Sequence, residues 1–268
     1  MKMQHLKSFF YTIGAFFLLF SIMGCSTQKM RITKEKESSA YYKFGLAYLS
    51  ENPPKTHKAY VEFIKAVETD PSNGDAYYAL GHLYFLRQEY AKAIEAFKKT
   101  LEITPDSSAA FNYMGQALEI MGRVEEAVLA YQNAMNNLQY ETPQLPHWNL
   151  ALLYKKGERY EMALEQLQHV RRMEPNNIAV LYEIGETYVK LGTPSLARPL
   201  YEEAAHVAPN DYRTHYWLAS FYLKEGLSVE AVHAFKKVIE LSPESEEAKA
   251  SKKQIDSMML QNTPTGVM

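Results

Sequence analysis

Residues 178–211 read IAVLYEIGETYVKLGTPSLARPLYEEAAHVAPND, and this stretch decides the fold. Counted from Ile178, the residues Leu181, Ile184, Gly185 and Tyr188 stand at positions 4, 7, 8 and 11. Residues three and four apart share one face of a helix, so these four give a first helix one packing face. Ala197, Tyr201 and Ala204, at positions 20, 24 and 27, do the same for a second helix. Gly185 and Ala197 are small where the two helices would cross. Pro209 stops the second helix because proline has no N–H to continue the hydrogen-bond ladder. Pro199 opposes this reading. It falls inside the second helix, where proline costs about 3 kcal/mol and kinks the chain. The expectation is a kink or a lost hydrogen bond over 195–207.

The pattern recurs in tandem. Unit 74–107 carries Tyr77, Leu80, Gly81, Tyr84, Ala93, Phe97 and Pro105, and unit 108–141 carries Phe111, Met114, Gly115, Leu118, Ala127, Tyr131 and Ala134. Units 144–177 and 212–245 repeat it with Ala151 and Ala219 at the glycine position, and unit 38–73 has two extra residues near Pro53-Pro54. This recurrence resembles the tetratricopeptide repeat. The resemblance implies an all-α fold: six repeats of two antiparallel helices stacked as a right-handed superhelical solenoid. Stacking buries the apolar face that each repeat would otherwise expose. The array then needs a terminal lid. Residues 246–260 supply a capping helix with acids first and lysines later, and Ala248, Ile255 and Met259 form its inner stripe. The tail 261–268 is expected to be disordered. The link between the third and fourth repeats is irregular: Gln139 replaces the terminal proline, and Thr142 and Pro143 intervene.

The chain has 268 residues, 47% apolar and 22% charged, a globular composition. Its net charge of −2 lacks the basic footprint of a nucleic-acid-binding surface. No metalloprotease, hydrolase, dinucleotide or P-loop signature is present. The eight histidines are scattered, and acid pairs such as Glu202-Glu203 are sequence neighbours that do not face each other on a helix. The sequence therefore reads as a non-enzyme that needs neither metal nor cofactor.

The N-terminus reads as an export signal over 1–24. Lys2 and Lys7 precede an apolar run at 8–23 that is shorter than the roughly 20 residues needed to span a bilayer. Ile22-Met23-Gly24-Cys25 follows, and Cys25 is the single cysteine. These residues by themselves also fit a short uncleaved anchor or ordinary signal cleavage. They resemble the lipobox of bacterial lipoproteins, which implies cleavage before Cys25 and an acyl anchor on it. Ser26 after the cysteine implies sorting to the outer membrane, with the protein facing the periplasm. Residues 25–37 are then the lipidated cysteine and a polar, flexible tether.

In tetratricopeptide arrays the concave groove is lined by first-helix positions that include 5, 12 and 13. Position 5 here holds Tyr42, Tyr78, Asn112, Trp148, Tyr182 and Tyr216. The rings either pack against the preceding repeat or form a strip that grips a partner peptide. Lys155, Lys156, Lys190 and Lys224, with Arg213, would make the C-terminal half of the groove basic. A lipobox, a short tether and six repeats resemble the type IV pilus biogenesis lipoproteins. That resemblance implies a scaffold that binds an outer-membrane secretin subunit and promotes its assembly. Adaptors for peptidoglycan hydrolases or synthases, and components of exopolysaccharide export complexes, are the alternatives. Oligomeric state is not readable from the sequence.

Overall fold

A computed structural model describes residues 28–137 and 139–261. The signal segment, Cys25 and most of the tail lie outside the described residues. The chain divides into two compact units, Met1–Tyr140 and Glu141–Met268. No strand occurs among the described residues.

Unit 1 holds three helix pairs: α1 (28–50) with α2 (Thr56–Thr69), α3 (Gly74–Leu86) with α4 (Tyr90–Ile103), and α5 (Ser108–Ile120) with α6 (Val124–Ala134). Unit 2 holds α7 (Gln144–Lys156) with α8 (Tyr160–Met173), α9 (Ile178–Lys190) with α10 (Pro194–Val207), α11 (Tyr212–Lys224) with α12 (Ser228–Leu241), and the terminal α13 (Glu246–Gln261). Within each unit a helix packs chiefly on its sequence neighbours. Helices restart with a side-chain cap after several of the proline turns, though Ser107 before α5 makes none. Asn73, Asn177 and Asp211 accept from the backbone N–H of Ala76, Ala179 and Arg213.

The repeat positions have distinct physical tasks. Position 20 is alanine in all six repeats, from Ala59 to Ala231, and is fully buried each time. Position 8 is small because of the residue at position 24 of the same repeat. A Cβ on Gly81 would lie 2.6 Å from the Phe97 ring, and one on Gly115 2.7 Å from Tyr131. The close approach is thus a ring seated on a bare backbone, as interiors packed without voids demand. The tyrosines at position 11 reach the preceding repeat: Tyr84 and Tyr60 share a hydrogen bond of 3.2 Å, and the Tyr222 hydroxyl donates to Glu202 at 2.8 Å.

Two expectations change, at residues 28–37 and at Met259, while the bond lost at Pro199 and the irregular link after the third repeat are found as expected. Residues 28–37, read as part of a flexible tether, are helical and run without interruption into 38–50, although every side chain among them is exposed. Their helix is secured at Ser38, which is fully buried, donates to the Ala66 carbonyl and accepts from Asn73 Nδ2. In α13 the inner stripe is Ala248, Ser251, Ile255 and Met258, while Met259 is exposed. Residues 258 and 259 both follow 255 on its face, and 258 lies on the side shared with Ser251, which is the side that packs. Pro199 does not break α10, which runs from Pro194 to Val207. It lies in the second turn and is exposed, so the Ser195 carbonyl that loses its partner faces water. Finally, α6 has 11 residues where the other second helices have 14, and residues 135–137 and 139–143 are not helical. Asn136 and Asn137, whose side chains compete for backbone groups, end α6 early: Asn137 Oδ1 accepts from the Gln139 N–H and its Nδ2 donates to the Asp106 carbonyl.

Candidate functional site

The position-5 side chains form a ladder, and each ring leans on the position-24 ring of its own repeat. Tyr42 meets Phe63 at 5.8 Å, Tyr78 meets Phe97 at 5.9 Å, Tyr182 meets Tyr201 at 6.0 Å and Tyr216 meets Phe235 at 6.1 Å between centroids. Trp148 packs on the cluster containing Leu167, the position-24 residue of its repeat. The partner is thus the second helix of the same repeat, whereas the sequence left open packing on the preceding repeat or a strip that grips a partner. Asn112 is only 2% exposed and offers no surface. Burial raises the hydroxyl pKa of Tyr42 and Tyr182, so both stay neutral donors.

Two residues that the sequence reading passed over complete the site. Both stand at position 6, next to the ladder. In unit 1, Tyr113 stacks on Phe97 with centroids 6.0 Å apart and planes 17° apart, and it meets Tyr78, His82 and Phe85 edge-on. In unit 2, Trp217 lies 4.4 Å from Tyr182 at 34°. Position 6 belongs to no packing face of a single helix. Its role appears only when the next repeat is stacked on the last.

The expected basic groove is smaller than its lysine count suggests. Lys155 pairs with Glu183 and, at 2.6 Å, with Glu186, and its side chain is 13% exposed. Burial opposes its charge, but the two carboxylates outweigh burial and raise its pKa. Arg213 is held by Asp211 at 2.6 Å. Lys156, Lys190 and Lys224 are exposed and make no ion pair among the described residues.

A cavity of about 190 Å³ lies between α9 and α11 in unit 2. Tyr182, Tyr201, Tyr216, Trp217 and Phe221 give it aromatic walls, and Lys190, Lys224, Glu186 and Ser220 give it polar ones. A larger, open pocket in unit 1 is lined by Asp106, Phe111, Asn133, Asn136 and Asn137 beside the end of α6. No cluster of three or more histidine, cysteine or acidic side chains that could hold a metal occurs among the described residues. No described helix is long and apolar enough to cross a membrane.

Six helix pairs with a recurring small residue under a position-24 side chain define a tetratricopeptide-repeat protein, a class of protein-interaction scaffolds. Residues 24–255 match the family described as the Cilia and flagella-associated protein 70 C-terminal domain, and the chain belongs to it. The type IV pilus assembly protein PilF of Pseudomonas aeruginosa is 27% identical over 193 residues, which are 70% of this chain and 76% of that protein. Superkiller protein 3 of Schizosaccharomyces pombe is 19% identical over 216 residues, 78% of this chain, and the chain spans only 16% of its length. The solved structure of P. aeruginosa PilF superposes with a TM-score of 0.66 and 24% identity, covering 83% of this chain and 99% of that one. PilW, described as a widely conserved type IV pilus biogenesis factor, gives 0.65 and 20%, covering 80% and 97%. Both likenesses show the fold.

Proposed function

We propose that this protein is an envelope scaffold for type IV pilus biogenesis, anchored by an acyl chain on Cys25, whose groove holds a segment of an outer-membrane secretin while its subunits multimerise. The observation that carries this reading is the match to PilF, which spans most of both chains. The Cys25 lipobox supports it by giving the scaffold a membrane attachment without a spanning helix. The groove's work is binding alone: it offers rigid aromatic area, unspent lysines and neutral hydroxyl donors.

Deleting the gene in the producing organism and probing for heat-resistant secretin multimers tests the reading. Loss or marked reduction of multimers is expected. Unchanged multimers together with normal piliation would overturn it.

A further inference from the structure

The cavity between α9 and α11 has a chemistry that selects its occupant. Its volume of about 190 Å³ is below the roughly 300–1,000 Å³ of pockets that enclose whole small molecules. It is comparable to the roughly 150 Å³ apolar cavity that accepts a benzene ring. One large side chain fits; a helix does not. The walls are aromatic, with Trp217 tilted against Tyr182 and Phe221 5.2 Å from Tyr201.

Around this apolar hole the polar groups can nearly all donate: the indole N–H and two ammonium groups only donate, and the hydroxyls donate or accept. The hydroxyls of Tyr182, Tyr201 and Tyr216, the indole N–H of Trp217 and the ammonium groups of Lys190 and Lys224 make no hydrogen bond among the described residues. Tyr182 and Tyr201 hold their protons because burial, first, and the nearby Glu186 and Glu183 raise their pKa. The one carboxylate on the wall, Glu186, is already engaged by Lys155. The indole of Trp217 and the ammonium groups of Lys190 and Lys224 thus favour an occupant that brings acceptors, and preferably negative charge.

We infer that this cavity receives one large apolar side chain of a partner polypeptide, flanked by acidic residues whose carboxylates meet Lys190 and Lys224. The inference rests on the groove being a polypeptide-binding surface, and it adds which repeats bind and which sequence they select. The ring or branched chain fills the space over Trp217, and the flanking acids satisfy donors that would otherwise compete only with water.

The test uses the full-length protein carrying Trp148→Phe, so that Trp217 is the single tryptophan. Its fluorescence is followed against three probes: Ac-Gly-Glu-Phe-Glu-Gly-NH2, the same peptide with both glutamates replaced by lysine, and the same peptide with phenylalanine replaced by alanine. The glutamate–phenylalanine peptide should give a saturable change, with at least tenfold weaker binding of the other two. Lys190→Glu with Lys224→Glu, both at exposed positions, should reverse the preference between the acidic and basic peptides while circular dichroism stays unchanged. Equal response to all three peptides, no response, or a preference indifferent to the double reversal would overturn the inference. The outcome is independent of the deletion strain. Intact selectivity with unchanged secretin multimers would remove the pilus partner and leave the pocket, and the opposite pair of results would do the converse.

Discussion

Tyr113 in unit 1 and Trp217 in unit 2 occupy the same place in the repeat, and their surroundings differ. Around Tyr113 the rings of Tyr78, Phe85 and Phe97 close together, and none of the described cavities is lined by it. Around Trp217 the rings pair at least as closely, Trp217 with Tyr182 and Tyr201 with Phe221, yet together they line the cavity. Position 13 changes in the same sense. It is Leu86 and Ile120 in unit 1, 61% and 53% exposed, and Lys156, Lys190 and Lys224 in unit 2. One repeat lattice thus carries a closed, apolar groove wall in one unit and an open, donor-rich wall in the other. The motif residues build both; the residues the motif leaves free decide which.

The comparison breaks first at position 6. Tyr113→Ala removes a partly buried ring that meets four other rings and should cost about 3 kcal/mol, measured by urea denaturation of the full chain. Trp217→Ala borders space that is already open and should cost about 1 kcal/mol. Equal losses would mean that the two sites are packed alike.

The glycines sharpen it. Alanine is favoured over glycine inside a helix by about 1 kcal/mol. At Gly81 the new methyl would lie 2.6 Å from the Phe97 ring, which is fully buried and has nowhere to move, so overpacking of about 1–3 kcal/mol wins and Gly81→Ala destabilises. At Gly185 the methyl would lie 3.0 Å from Tyr201, a ring that borders the cavity and can shift into it. Gly185→Ala should be neutral or stabilising by up to about 1 kcal/mol. Thermal unfolding of the two variants gives the sign directly.

Much of this fold was legible in the sequence because the information was local and repeated. The fully buried alanine at position 20, the small residue at position 8 and the turn prolines recur at a fixed step, and each is set by contact within a repeat. The features that were missed depend on neighbours. Tyr113 and Trp217 gain their roles only against the preceding repeat. Lys155 counts as a groove cation in the sequence, yet Glu183 and Glu186, one repeat later, consume its charge. The helix at 28–37 was missed because its exposed side chains carry no periodicity. It is held from its far end, by the buried hydroxyl of Ser38.

A pH-dependent effect concerns that lysine. The raised pKa of Lys155 in the folded state means that its ion pairs stabilise fully below the unfolded lysine value, about 10.4, and that the contribution fades as pH rises through the folded value. Lys155→Met should therefore cost about 1–2 kcal/mol at pH 7, since it strands two partly exposed carboxylates. The gap between variant and wild type should narrow above pH 10.5 or so. A gap that is constant from pH 7 to 11 would show that Lys155 acts through packing alone.

The contrast between the two groove walls is tested most directly by nitrogen–proton correlation NMR of the full chain, titrated with Ac-Gly-Glu-Phe-Glu-Gly-NH2. The account predicts that the Trp217 indole signal and the backbone signals around Lys190 and Lys224 move together to saturation, while those of residues 74–120 stay in place. Shifts concentrated in 74–120, or an unmoved Trp217 signal, would contradict it.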